Sequence, residues 1–254
     1  MRKRKKWKVN VVFHKYLVDK YYDCDPSFNH KYYDFVKCNE KYSIQYNDEF
    51  GYNVWSEDKL KYYDPYYQKN VYMAPSLIYH FFKNRLHEGY EYVGFVEYDI
   101  ALKQKVPDGK MENGFTKMVN DIVQNNDEMI IPLRCQHRFK MLANQNFILR
   151  NKNVMETVVD DYNNFFGTLH AYSDIIYRDP LLTTQQSFIL DSKTFGRIGR
   201  FLEHVFENRL AEGGTRGAHR PSTILDRYVS TALLLDETEK YEFNFLDHKS
   251  HKQW

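Results

Sequence analysis

Tyr92-Val93-Gly94-Phe95-Val96-Glu97-Tyr98-Asp99 is an apolar run that ends in two carboxylates one residue apart. Its first five residues have the character of a buried strand. In extended chain the side chains at i and i+2 point the same way. Glu97 and Asp99 therefore face one spot, at the place where the strand ends. Two like charges so placed repel unless a cation sits between them, and an oxygen-rich pair suits Mg2+ or Mn2+. A divalent ion held in this way commonly binds a diphosphate. A solvated strand end accounts for the same triplet, so on its own the pair marks a site for scrutiny only.

Outward from this stretch, strands and helices alternate. Trp7 to Phe13 reads as a first strand, with His14-Lys15-Tyr16 at its carboxyl end. Asp34 to Cys38 and Tyr42 to Tyr46 read as short strands. Asp48 to Asn70, polar and aromatic with Gly51 and Pro65, reads as a long functional loop. Ala74 to His87 reads as a helix with Pro75 in its first turn and Gly89 as its stop. Leu77, Ile78, Phe81 and Phe82 form its apolar stripe, while Ser76, Tyr79, His80 and Lys83 share another face. Met129 to Leu133 and Ser187 to Leu190 read as strands, and 115–125, 153–166 and 193–210 as helices. Gly213 to Gly217 reads as a flexible loop, and Ser222 as the cap of a last helix from about Thr223 to Leu235. Tyr241 to Leu246 alternates like an edge strand, followed by a tail. This order predicts an α/β fold with a largely parallel sheet, whose ligands bind beyond the carboxyl ends of the strands. Both His14-Lys15 and Glu97-Asp99 fall at such ends.

The 254 residues suit a single domain with a substantial core. A formal net charge of +2 argues against a dedicated nucleic-acid surface. The 22 tyrosines are compatible with a stacking cleft, but a composition biased toward Tyr, Asn and Lys is the better account of them. Cys24, Cys38 and Cys135 are too few and too scattered for a disulfide framework or a zinc knuckle, which implies a reducing, cytoplasmic setting. The basic run Arg2 to Lys6 is not followed by the apolar segment of a signal peptide, and no run is long enough to predict a transmembrane segment.

Several segments taken together resemble a known group: Tyr63-Asp64-Pro65 with Gln68, then Ser76, Tyr79-His80 and Lys83-Asn84, then Tyr92-Val93-Gly94-Phe95 leading into Glu97-Tyr98-Asp99, and far downstream Leu225-Asp226-Arg227-Tyr228. In their order and spacing they resemble the GT-A glycosyltransferases with which large DNA viruses decorate capsid glycoproteins, and more distantly the bacterial capsular-polysaccharide transferases. The resemblance is best over residues 60–100 and patchier over 185–235. It implies a GT-A fold with a Rossmann-like, mostly parallel central sheet flanked by helices. It also implies a nucleotide-sugar-binding half (1–134) and a variable acceptor-binding half (135–254).

The activity so implied is transfer of a sugar from a nucleotide-sugar donor, UDP-sugar favoured, to a glycan or glycoprotein acceptor, in the host cytoplasm if the chain is viral. Mn2+ or Mg2+ would be held by Asp99 and Glu97. The first acid here is a glutamate where the family's motif has aspartate, so Asp99 is the principal ligand. His248, in Asp247-His248-Lys249-Ser250-His251, would complete the metal site. Tyr98 would meet the ribose or serve as a packing aromatic. His14 would meet the base or ribose, and Lys15 the phosphates. Ser76, Tyr79 and Lys83 would line the nucleotide cleft, or form a solvated helix face. Asp226 would be the base that deprotonates the acceptor hydroxyl in an inverting reaction, or a carboxylate favoured by a helix N-terminus. A nucleotidyltransferase on a related fold is disfavoured by the absence of glycine after the first strand. A non-catalytic nucleotide- or sugar-binding domain is the other alternative.

Overall fold

The computed structural model describes residues 7–13, 33–38, 54–69, 73–97, 128–135, 148–177, 187–209, 221–240 and 243–248, with short pieces between 100 and 125. Its strands are β1 (Trp7–Phe13), β2 (Tyr33–Lys37), β3 (Val54–Ser56), β4 (Tyr92–Glu97), β5 (Ile100–Ala101), β6 (Gln104–Lys105), β7 (Met111–Glu112), β8 (Ile130–Cys135), β9 (Phe188–Asp191) and β10 (Phe243–His248). Eight of them form one sheet in the order β3-β2-β1-β4-β9-β8-β10-β5, and β6 pairs with β7 alone. The first four are parallel. β9 enters antiparallel between β4 and β8, β10 runs parallel to β8, and β5 is antiparallel to β10. The expected Rossmann-like α/β sheet is present.

The central strands are buried on both faces, as parallel strands usually are. Val12, Val36, Val93, Phe95, Phe188 and Leu190 join the helical core. The alternating set Val9, Val11, Phe13, Phe35, Val96 and Ile189 is buried as well. Gly94 allows β4 to lie close to its neighbours: an added Cβ would stand 2.8 Å from Ile189 Cγ1 and 3.1 Å from Val9 Cγ2. That is too close for any side chain without a shift.

The helices are α1 (Pro65–Lys69), α2 (Met73–Lys83), α3 (Lys152–Phe166), α4 (Tyr172–Tyr177), α5 (Ser192–His204) and α6 (Pro221–Leu235). α2, α5 and α6 pack on one another, and α3 packs on α6. α5 starts at the amino end of β4, where Asp191 lies beside Tyr92 and Ser192 Oγ donates to the carbonyl of His87 at 2.9 Å. Just past the end of α6, Asp236 meets Arg197 near the start of α5. α6 therefore begins toward the opposite, carboxyl end of the sheet.

Four expectations are corrected. The stretch 48–70 is not one long loop: Val54–Ser56 extends the parallel sheet, and Pro65 opens a helix because its missing N–H costs nothing in a first turn. α2 stops at Lys83, well before Gly89. Arg85 takes the left-handed conformation (φ 58°), and Asn84 Nδ2 covers the carbonyl of His80 at 2.8 Å. α6 opens at Pro221, so Ser222 lies inside it. β10 is an inner strand with a neighbour on each side, and it includes Asp247 and His248, which the sequence reading put in a tail. Tyr42 to Tyr46, Gly213 to Gly217 and most of 115–125 lie outside the described residues.

Candidate functional site

The parallel strands end nearly level. Phe13 pairs with Lys37 and Lys37 with Ser56, while Glu97 pairs with Val12, one residue short of that line. Residues leaving this edge are the natural ligand contacts of an open α/β sheet. They include His14 and Lys15 after β1, Glu57 after β3, and Tyr98 and Asp99 after β4. His14, Lys15, Tyr98 and Asp99 lie outside the described residues, and so do the side chains of Glu97 and His248.

The sheet order carries a geometric consequence. β5 is four strands away from β4, about 19 Å across a flat sheet at 4.8 Å per strand. Yet only Tyr98 and Asp99 separate Glu97 from Ile100, a span of at most about 11 Å between Cα atoms. The β8-β10-β5 side must therefore curl back over the end of β4. In doing so it pairs His248 with Ile100 and Asp247 with Ala101. A histidine 148 residues downstream thus lies next to the chain that carries the Glu97-Tyr98-Asp99 triplet. Carboxylates and imidazole are among the donors that divalent cations take, and the side chains of Glu97, Asp99 and His248 lie outside the described residues. Among the described residues no group of three His, Cys, Asp or Glu side chains stands together as a metal site.

Asp226 lies in the second turn of α6, five residues after Pro221. The helix dipole acts on the first turn and falls off quickly, so it does not account for an aspartate there. Burial pushes the Asp226 carboxyl up to about 6, and the adjacent Arg227 offsets this only in part. The counterpart holds for Arg227, whose burial lowers its pKa. A carboxyl at about 6 is mostly ionised at neutral pH yet basic enough to accept a proton, as a general base requires.

Among the described residues the second face of α2 packs on protein: Ser76, Tyr79 and His80 are buried and Lys83 is half-buried. Ser76 is fully buried and donates to Glu57 Oε1 at 3.0 Å. His80 Nδ1 meets the same oxygen at 2.5 Å, while His80 Nε2 accepts from the backbone N–H of Asp64 at 3.1 Å. A ring nitrogen that accepts carries no proton, so His80 is neutral and donates through Nδ1. Its pKa agrees, lowered by burial to about 4. Ser, His and Glu here do not form a nucleophilic relay, because the serine bonds the carboxylate and the far ring nitrogen is already occupied. The cluster ties the 57–64 segment to α2.

Tyr79 stacks on Phe206 with ring centres 4.5 Å apart and planes 3° from parallel, and its hydroxyl lies 3.1 Å from that of Tyr62. Lys83 binds Glu203 at 2.5 Å and Glu207 at 3.0 Å, and these bonds raise its pKa. Glu57, Tyr62, Phe206, Glu203 and Glu207 thus occupy the groups that the sequence reading aimed at a nucleotide. Glu57 escaped that reading because nothing in its local sequence separates a buried acid from a loop acid. Asp161 and Arg209, which bond each other between α3 and the end of α5, escaped it for the same reason.

No protein-family model matches this chain, and no curated protein matches it. Among solved structures, the apo structure of the bifunctional glycosyltransferase WbbM resembles it with a TM-score of 0.51 at 13% identity. The match covers 93% of this chain and 44% of that one, so the chain spans less than half the length of WbbM. At this identity the likeness shows the fold: a GT-A-like α/β domain.

Proposed function

We propose that the chain is a metal-dependent glycosyltransferase that moves a sugar from a nucleotide-sugar donor, UDP-sugar favoured, to a glycan or glycoprotein acceptor. The observation that carries this reading is the pairing of His248 with Ile100 at the end of β4, which draws a distant histidine to the acidic triplet. Asp99, Glu97 and His248 would hold Mn2+ or Mg2+, which when bound would stabilise negative charge on the departing diphosphate. His14, Lys15 and Tyr98, which follow β1 and β4 in the sequence, would bind the nucleotide. Asp226 takes the proton of the acceptor hydroxyl. The acceptor oxygen then bonds to the anomeric carbon as the bond to the diphosphate breaks, and the nucleoside diphosphate leaves with the electron pair. This is an inverting displacement. The resemblance to capsid-decorating viral transferases favours a glycoprotein acceptor.

A thermal-denaturation screen with UDP, GDP and TDP nucleotides, each with and without Mn2+, tests the reading. A ligand that binds only the folded chain raises the midpoint, by about 5–10 °C at a hundredfold excess over Kd. The expected result is a shift with UDP that depends on Mn2+. No shift with any nucleotide overturns the proposal. A shift without Mn2+-dependent donor hydrolysis or transfer would favour a non-catalytic nucleotide-binding domain.

A further inference from the structure

Beyond its last α-helical residue, α5 widens into a π turn over Val205–Arg209, a rare form that often accompanies functional sites. The turn is fixed on two sides. Toward α2, Phe206 stacks on Tyr79 and Glu207 accepts from Lys83 at 3.0 Å. Toward α3, Arg209 Nε donates to Asp161 Oδ1 at 3.0 Å, and a second guanidinium nitrogen reaches the same oxygen. Asp161 is only 3% exposed. Its other oxygen, Oδ2, accepts the hydroxyl of Tyr228 on α6 at 2.6 Å. Arg209 and α6 are the two ends of the segment 210–220. A single buried carboxylate therefore holds both stems of that segment.

The bond from Tyr228 acts with the buried Leu225, Val229 and Ala232 to fix the rotation of α6. Residues two apart on a helix differ in bearing by about 200°, so Asp226 lies across the helix axis from Tyr228. Turning Asp226 to another bearing would pull the phenol away from a buried charge, and a buried charge deprived of its partner is strongly unfavourable. Burial, and then the bond to Asp161, push the Tyr228 pKa above its usual value, which keeps the phenol a donor.

The geometry points to Asp161 as a positioning residue, which through Tyr228 and Arg209 sets the bearing of α6 and hence the place of Asp226. The inference rests on the reading of Asp226 as the base, but its test needs no substrate. Carbon-13 labelling of aspartate carboxyls follows the titration of Asp226, assigned by its loss in Asp226→Asn. Tyr228→Phe deletes one hydroxyl, keeps the ring and changes no charge. With that bond lost α6 is freer to turn, more water reaches Asp226, and its titration midpoint is expected to fall by about one pH unit or more. Asp161→Asn is expected to move it the same way; if that variant does not fold, Tyr228→Phe decides alone. A folded Tyr228→Phe protein with a lower Tm but an unmoved Asp226 titration reduces Asp161 to a structural brace and overturns the inference. Failure of wild-type protein to bind UDP with Mn2+ would defeat the transferase reading and leave the titration result standing.

Discussion

Asp226 and Asp236 lie ten residues apart, one in the second turn of α6 and one just past its end, about 15 Å along the helix. Asp236 is buried and Asp226 partly so, and burial acts to raise the pKa of each. At Asp236 that tendency loses. Arg197 forks onto its two oxygens at 2.8 and 2.9 Å, the N–H of Thr238 adds a bond at 2.9 Å, and the carboxyl ends below its ordinary value. At Asp226 burial wins. The amino end of the sheet therefore carries a carboxylate arranged for stability, and the carboxyl end carries one held at a stability cost. Groups kept at such a cost cluster at functional sites.

The sharpest way to break this contrast is Asp226→Asn. Transfer is expected to fall by about 10²–10⁴-fold, the usual contribution of a general base. The same variant is expected to be more stable at pH 7. A carboxyl whose folded pKa is raised binds protons better in the folded state, so its ionisation at neutral pH opposes folding, here by on the order of 2 kcal/mol. Turnover and urea midpoint measured on one preparation check both halves, and unchanged turnover in a folded variant would remove Asp226 as the base.

Asp236→Asn inverts the outcome. It leaves the Arg197 guanidinium without its counter-charge at a site where Asp236 is 3% exposed. The expected loss is about 3 kcal/mol in urea unfolding, with UDP binding unaffected. A drop in nucleotide affinity at constant stability would erase the division between the two ends.

At neutral pH the smallest change comes from His80, whose effect is confined to acid pH. Its folded pKa of about 4 lies below the ordinary value of 6.5, so the unfolded chain binds the proton better. Its contribution to stability is complete above pH 6.5 and is lost as pH falls toward 4, by up to about 3 kcal/mol. Asp226 acts in the opposite direction between pH 6 and 4 and masks part of that loss. In Asp226→Asn the acid limb of stability against pH should therefore steepen. Replacing His80 by Gln in that background should flatten it, and identical limbs in all three proteins would contradict the neutral buried histidine.

Much of the scaffold was legible before any fold was known. β1, β4, β9 and α3 declare themselves through apolar strand runs or helical periodicity over consecutive residues. β3 and α1 did not, because three residues of strand and five of helix carry too little periodicity to stand out among tyrosines and charges. For the candidate site, the sequence offers Asp226 and the Glu97-Tyr98-Asp99 triplet by their chemistry, and the roles given to them are those of the proposed function. The roles of Ser76, Tyr79 and Lys83 were not legible, because whether a polar helix face meets solvent, ligand or protein depends on what packs against it. Here that is Glu57 from after β3, and Phe206, Glu203 and Glu207 from the end of α5.

The sequence by itself determined the longer strands and helices, such as β1, β4 and α3, since side-chain direction repeats every two residues in one and every 3.6 in the other. It also determined that two acids close the strand at Val96. The tertiary structure alone decided that His248 lies beside Ile100, that Asp161 holds both ends of 210–220, and that Asp226 has a raised pKa while Asp236 has a lowered one. Register, enclosure and charge environment are set by residues far apart in the chain, and no local pattern records them.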